Sequence, residues 1–167
     1  MTAPLVHGEL ALVEFEVDDQ TPEDLSIGLD RLREIAAIYD VLHMPAYGKK
    51  GRLTIHIRIL ADPVRLQEVI TACFLQTTTI GLRHYLVATT ALARQVSEID
   101  AQGTTVRVKL VERPGFGFTG KAEAADVIIV GEGHAQRAAL RDIAQREAIR
   151  RDGEGAGSTS LATPPHG

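Results

Sequence analysis

Apolar and polar positions alternate through residues 10–17. Leu10, Leu12, Val13, Phe15 and Val17 are apolar, with Glu14 and Glu16 between them. A period of two predicts a half-buried strand. It stops at Asp18-Asp19, and Thr21-Pro22-Glu23-Asp24 then carries the signs of a helix start: Thr as N-cap, Pro at the first helical position, acids in the first turn. Leu25, Leu29, Leu32 and Ile35 follow at helical spacing, which takes this helix to about Ala37. Residues 39–47 read as a second strand and 53–60 as a third, with Ile55, Ile57 and Ile59 on one face and Thr54, His56 and Arg58 on the other. Gly48-Lys49-Lys50-Gly51 between them predicts a tight hairpin. Asp62-Pro63 opens a second helix with Val64, Leu66, Val69, Ile70 and Phe74 apolar, and a β-branched, aromatic fourth strand covers about residues 81–90.

The order strand, helix, strand, strand, helix, strand is that of a split βαβ, or ferredoxin-like, unit. The expected fold class is α+β: one antiparallel sheet with both helices on one face, an added hairpin and C-terminal helices. The hairpin is expected over residues 94–99 and 104–111 as an extension of the fourth strand, turning at Ala101-Gln102-Gly103 and broken by Arg113-Pro114-Gly115. Residues 122–133 are ambiguous, because Val127–Val130 favours strand and Ala122–Ala125 favours helix. Residues 136–151 are helical in composition, and 152–167 read as a disordered tail. The expected organisation is a lead of residues 1–9, one domain over 10–151 (core about 10–92, hairpin and helical extension about 93–151) and the tail 152–167.

Composition narrows the function classes. The chain has 167 residues with 44% hydrophobic but only 4% aromatic positions and no Trp, so its core must be aliphatic. With 18 basic and 22 acidic residues the net charge is −4, which argues against a general nucleic-acid binder. One Cys excludes an internal disulfide and a cysteine zinc site. No apolar run approaches the ~20 residues that span a bilayer, and no signal peptide is visible, so a soluble cytoplasmic protein without membrane partners is expected.

Three stretches carry candidate chemistry. Gln76-Thr77-Thr78-Thr79-Ile80-Gly81-Leu82-Arg83 reads as a helix-to-strand exit, since three threonines in a row disfavour helix. Thr hydroxyls, the backbone at Gly81 and the Arg83 fork could face a ligand; the alternative is a polar connection. Asp18-Asp19 could hold a hard divalent cation such as magnesium, or simply complement a turn and helix dipole. Lys49-Lys50-Gly51-Arg52 puts three cations in four residues, so an anion between them would relieve repulsion; otherwise the turn is exposed and solvated. No P-loop or dinucleotide fingerprint is present, and no two of the six histidines are three or four residues apart. The residues alone point to a pocket for an anion and a divalent cation.

Together these stretches resemble a known family. Phe15-Glu16-Val17-Asp18-Asp19 with Thr21-Pro22-Glu23, then Tyr39-Asp40-Val41 with Pro45 and Lys49-Lys50-Gly51-Arg52, then Thr77–Arg83, fall in the order and spacing of the nickel insertion protein family of nickel-pincer cofactor synthesis, the LarC family. Arg94, Gly103 and Lys109, and later Glu123 with Asp126, also fit, so the resemblance covers about residues 10–149. It implies the C-terminal, CTP-binding, hexamer-forming domain of a CTP-dependent cyclometallase. Such an enzyme inserts nickel, as a substrate metal, into a pyridinium bisthiocarboxylic acid mononucleotide and cleaves CTP to CMP and pyrophosphate.

The resemblance further implies that Asp18 and Asp19 hold magnesium or manganese on the triphosphate. Lys49, Lys50, Arg52 and Arg83 would neutralise phosphates, with Thr77, Thr78, Thr79 and Gly81 as hydrogen-bonding groups around them. The substrate's own sulfurs could ligate nickel, consistent with the lack of a Cys/His cluster. Three departures stand out. Gln76 occupies a position where the family has Glu, and so the place of a catalytic acid or metal ligand. Leu53 replaces a Pro, and the family's histidine-rich N-terminal domain is missing. The expectation is therefore an enzyme subunit that pairs with a separate N-terminal-domain chain, or a stand-alone domain. The alternative is a non-catalytic nucleotide-binding or oligomerisation module.

Overall fold

Thr21 caps the first helix as its sequence requires: its Oγ1 accepts from Asp24 N–H at 3.3 Å, and Pro22 follows at the first helical position. The computed structural model describes residues 5–128 and 133–153. The elements are β1 (Leu5–Val17), α1 (Pro22–Arg33), β2 (Ile38–Tyr47), β3 (Leu53–Ala61), α2 (Leu66–Gln76), β4 (Arg83–Leu92), β5 (Arg94–Ala101), β6 (Thr104–Arg113), β7 (Gly117–Ala122), α3 (Ala124–Ile128) and α4 (His134–Ala148). The fold is α+β, and the described residues divide into two units, one of His7–Thr89 and one that takes in Leu5, Val6 and the described residues from Thr90 onward.

The first unit is the ferredoxin-like βαββαβ sheet, ordered β2-β3-β1-β4. β1 pairs antiparallel with β3, from Ala11 opposite Ala61 to Val17 opposite Ile55, and β2 pairs antiparallel with β3 through Tyr47 opposite Leu53. Strand parity does the sorting. Ala11, Val13, Phe15 and Val17 face the helices with Ile57, Ile59 and Ala61, and they pack against Leu25, Leu29, Leu32, Val69 and Cys73. Burial pushes the Cys73 thiol up to about 12, so it behaves as a small apolar filler.

Several boundaries differ from the sequence reading. β1 starts at Leu5 rather than Leu10: residues 5–9 are all exposed, so they have strand backbone without the half-buried pattern that reveals a strand. α1 ends at Arg33, short of Ala37, and Ile35 and Ile38 close successive turns instead. The hairpin β5–β6 forms, but in its own sheet, β5-β6-β7. β7 has no clear sequence signal because Gly117 and Gly120 weaken strand propensity. Gly120 is closely surrounded: a Cβ there would lie 3.1 Å from Val108 Cγ1 and 3.4 Å from the Gln145 carbonyl of α4.

In the ambiguous stretch, Ala124–Ile128 is helical, and 129–132 lie outside the described residues. α4 covers most of the expected last helix, and a wider turn over Ile149–Gly153 takes in Asp152, which the sequence placed in the tail. The expected disordered segment from residue 154 onward lies outside the described residues.

α3 is fixed by charge. Arg107 donates to Asp126 from its backbone N–H at 2.9 Å, from Nε at 2.9 Å and from Nη2 at 2.7 Å. Lys109 on the same strand pairs with Glu123 at 2.5 Å. The Arg107 side-chain bonds, then its backbone bond, hold the Asp126 carboxyl down at about 2. The folded value lies below the ordinary 3.8, so this stabilisation is present above 3.8 and is lost as pH falls towards 2. Asp126→Asn is therefore expected to lower the melting temperature at neutral pH, and the gap to the wild type should close between those two values in a pH series of melts. A gap independent of pH would contradict the pairing.

α1 meets the end of α2 at Gly28, where a Cβ would sit 2.3 Å from the Gln76 carbonyl oxygen. Ala is the better helix former by about 1 kcal/mol, but a clash with a backbone atom cannot be relieved by rotating a side chain, and overpacking costs about 1–3 kcal/mol. Gly28→Ala is expected to lower the urea midpoint. An unchanged or raised midpoint would show that α2 can shift freely.

Candidate functional site

Antiparallel pairing decides where the three candidate stretches meet. The end of β1, the β2–β3 turn and the start of β4 all fall at one end of the first sheet. β4 runs opposite to β1, as its cross-strand contacts show: Thr89 lies beside Gly8, Tyr85 reaches Glu14 and Arg83 reaches Glu16. Asp18 and Asp19, Lys49 to Arg52, and Gln76 to Arg83 are thereby brought to the same rim, although more than 60 residues separate the first of them from the last.

The contacts at the rim are specific. Arg52 Nη2 lies 3.0 Å from Asp18 Oδ2, with the two side chains 69% and 35% exposed. Thr78 Oγ1 donates to Asp19 Oδ1. Thr78 N–H donates to Gln20 Oε1 at 3.2 Å, while Gln20 Nε2 donates to Asp24 Oδ2 at 2.7 Å and to the Gln76 carbonyl at 3.4 Å. Gln20, which sequence reasoning passed over, therefore ties the acidic turn to the threonine exit. Thr54 Oγ1 donates to the Val17 carbonyl at 3.0 Å and locks the hairpin to the end of β1.

The threonines divide their roles. Thr77 is buried, and its hydroxyl donates to the Cys73 carbonyl at 2.8 Å, finishing α2. Thr79 donates to the Gly81 carbonyl at 2.8 Å. Only the Thr78 hydroxyl is turned to the acids. Gly81 has nothing within 4 Å of a built Cβ, so its backbone is open to approach. Gln76 is the last residue of α2 and half-buried.

Lys49, Lys50 and Arg52 line an open concavity of about 430 Å³. Lys50 adopts the left-handed conformation, φ 60°, next to Gly51 at φ 71°. For a residue with a Cβ this costs roughly 1–2 kcal/mol. The tip is held by Gly48 N–H to the Arg52 carbonyl at 2.8 Å and Gly51 N–H to the Gly48 carbonyl at 3.1 Å. Among the described residues neither Lys49 nor Lys50 is paired with a carboxylate.

Arg83 is differently placed. Its Nη2 donates to Glu16 Oε1 at 2.7 Å, and His56 Nδ1 lies 3.0 Å from the same oxygen. Beside it, Arg58 Nε donates to Glu14 Oε1 at 2.7 Å and the Tyr85 hydroxyl to Glu14 Oε2 at 3.1 Å. These form a charged network on the sheet face away from the helices. Arg58 holds the Glu14 carboxyl below its usual range, and Arg83 does so for Glu16. Glu14, Glu16, Arg58 and Tyr85 were missed as site neighbours, although the alternation of β1 and β3 places the first three on one face.

Asp18 and Asp19 supply two carboxylates, and among the described residues no group of three His, Cys, Asp or Glu is placed to hold a metal. Two carboxylates suit magnesium or manganese when phosphate oxygens and water complete the shell. Of the other positions that fitted the family pattern, Lys109, Glu123 and Asp126 are spent on ion pairs in the second unit. Gly103 is a turn residue at φ 81° whose N–H donates to Asp100 at 2.7 Å.

Comparison with known proteins places the chain in a family and shows its fold. The sequence model of a family described as "Nickel insertion protein" matches residues 2–141. A "Pyridinium-3,5-bisthiocarboxylic acid mononucleotide nickel insertion protein" of Alkaliphilus metalliredigens is 35% identical over 105 residues, which is 63% of this chain and 25% of that protein. Its namesake in Acetivibrio thermocellus is 29% identical over 104 residues, 62% of this chain and 25% of that protein. The chain thus spans about a quarter of the length of the curated relatives it matches. Among solved structures it is similar to "LarC2, the C-terminal domain of a cyclometallase involved in the synthesis of the NPN cofactor of lactate racemase", with TM-score 0.64 and 25% identity over 87% of this chain and 94% of that one. A protein of Methanopyrus kandleri shares the fold at TM-score 0.65 and 19% identity, over 89% of this chain and 92% of that one.

Proposed function

This chain belongs to the nickel insertion protein family, and we propose that it binds CTP with magnesium or manganese at the rim of its first sheet. In this reading it is the nucleotide-handling part of nickel insertion into a pyridinium bisthiocarboxylic acid mononucleotide. One observation carries it: a concavity lined by Lys49, Lys50 and Arg52, the two lysines without a carboxylate partner among the described residues, stands beside Asp18, which Arg52 contacts, and Asp19, which Thr78 contacts.

Charge explains why such a pair of sites belongs together. A triphosphate needs several positive charges and fixed donors, and next to two carboxylates it is repelled unless a divalent cation lies between. Asp18 and Asp19 would hold that cation, whose chemistry is to neutralise the phosphates and polarise them toward cleavage. The Arg52–Asp18 pair is exposed and worth roughly 0–1 kcal/mol, so Arg52 can exchange Asp18 for a phosphate at little cost. Thr78 and the open backbone at Gly81 would supply neutral donors, and Arg83 would add a cation once Glu16 releases it.

Calorimetric titration with CTP and magnesium tests the reading. Replacing Lys49 and Lys50 by Ala is expected to weaken binding by about 1.5–3 kcal/mol per charge-assisted hydrogen bond lost, and added salt should weaken it further. An unchanged affinity in the double variant would mean that the turn is solvated surface.

Gln76 favours a second reading, that of a nucleotide-binding module without turnover, because a neutral amide cannot accept a proton as a carboxylate does. Gln76→Glu is expected to raise CMP release in the presence of CTP, manganese, nickel and the thiolated pyridinium substrate. Strong release by the unmodified chain would favour a complete enzyme, and none from either form would favour the module.

A further inference from the structure

The β2–β3 hairpin presents two kinds of surface in one short segment. Its tip is cationic. Its last paired rung is apolar: Tyr47, 82% exposed, stands directly opposite Leu53, 58% exposed. Tyr47 is the most exposed of the three tyrosines. Tyr85 spends its hydroxyl on Glu14, whereas the Tyr47 hydroxyl has no partner among the described residues.

The ring stands on a fixed base. The tip is closed by the two backbone bonds at Gly48, and Thr54 pins the following residue pair to the end of β1. A large amphipathic ring on a pre-organised hairpin contributes contact area at little ordering cost. Tyr47 precedes Lys49 by two residues, roughly 7 Å at the rise of an extended chain. That is of the order of the span between a base and the first phosphate of its own nucleotide.

We propose that Tyr47, backed by Leu53, is the platform on which the base of the bound nucleoside triphosphate stacks, while Lys49, Lys50 and Arg52 hold its phosphates. The inference rests on the nucleotide reading above and adds a residue to it. Aromatic stacking tolerates every base, because each has a π-face. Tyr47 therefore supplies affinity for the nucleoside, and the choice of base is made elsewhere.

The test compares two ligands that differ only in having a nucleoside. CTP and inorganic tripolyphosphate, each with magnesium, are titrated into the full chain, into Tyr47→Ala, into Tyr47→Phe and into the Lys49→Ala/Lys50→Ala variant. Tyr47→Ala is expected to weaken CTP on the order of ten- to a hundred-fold and to leave tripolyphosphate unchanged. Tyr47→Phe should bind both as the wild type does, and the lysine variant should lose affinity for both. Because the chain has no Trp, Tyr47→Trp adds a direct readout: its fluorescence should be quenched by CTP and not by tripolyphosphate. Wild-type CTP affinity in Tyr47→Ala, alongside a weakened lysine variant, would overturn the platform and leave the phosphate site standing. Equal loss of both ligands in Tyr47→Ala would overturn it as well. If the lysine variant binds both ligands unchanged, the nucleotide reading itself fails and the platform falls with it.

Discussion

The register of β1 is the constraint on which the rest of the first unit depends. Shifted by one residue, Ala11, Val13, Phe15 and Val17 would leave the helices, and Glu14 and Glu16 would enter the core. In the observed register β1 ends at Val17, opposite the first residues of β3 and beside the start of β4. The Thr54 hydroxyl on the Val17 carbonyl holds that end in place. Two consecutive acids after Val17 then arrive where the basic hairpin and the threonine exit also arrive. The site is a consequence of strand length and pairing before any of its side chains make contact.

Charge at this end of the sheet is arranged unequally. Four acids are engaged: Asp18 by Arg52, Asp19 by Thr78, Glu14 by Arg58 and Tyr85, Glu16 by Arg83 and His56. Lys49 and Lys50 have no carboxylate partner among the described residues. What the rim still offers a ligand is therefore positive charge, together with carboxylates that can be uncovered when their arginines move. This is the electrostatic form expected of a site that takes a polyphosphate and its cation together. By contrast, the Arg107–Asp126 and Lys109–Glu123 pairs bind β6 to the segment around α3 and serve packing.

Much of the fold could be read from sequence because amphipathic periodicity is strong where elements are half-buried. β3 and the start of α1 were legible for that reason, and the Thr21-Pro22 cap was legible from its chemistry. Residues 5–9 of β1 and all of β7 were not: the former are exposed throughout, and the latter carries Gly117 and Gly120 among its six residues. At the site, the acids, the basic turn and Thr78 could be picked out as unusual local sequence. Gln20 could not, since its importance lies in a hydrogen bond to Thr78, 58 positions away. Nor could the inward turn of Thr77, which follows from how α2 ends.

In the proposed function, three distant stretches form one metal–triphosphate site at one end of one sheet. Backbone amide NMR of the labelled chain, titrated with CTP in magnesium, tests it residue by residue. Joint shifts with a single dissociation constant are expected at Asp18, Asp19 and Gln20, at Lys49, Lys50 and Arg52, and at Thr78 and Gly81. The amides of β6 and α4 should stay in place. Shifts confined to the second unit, or separate constants for the three stretches, would contradict it.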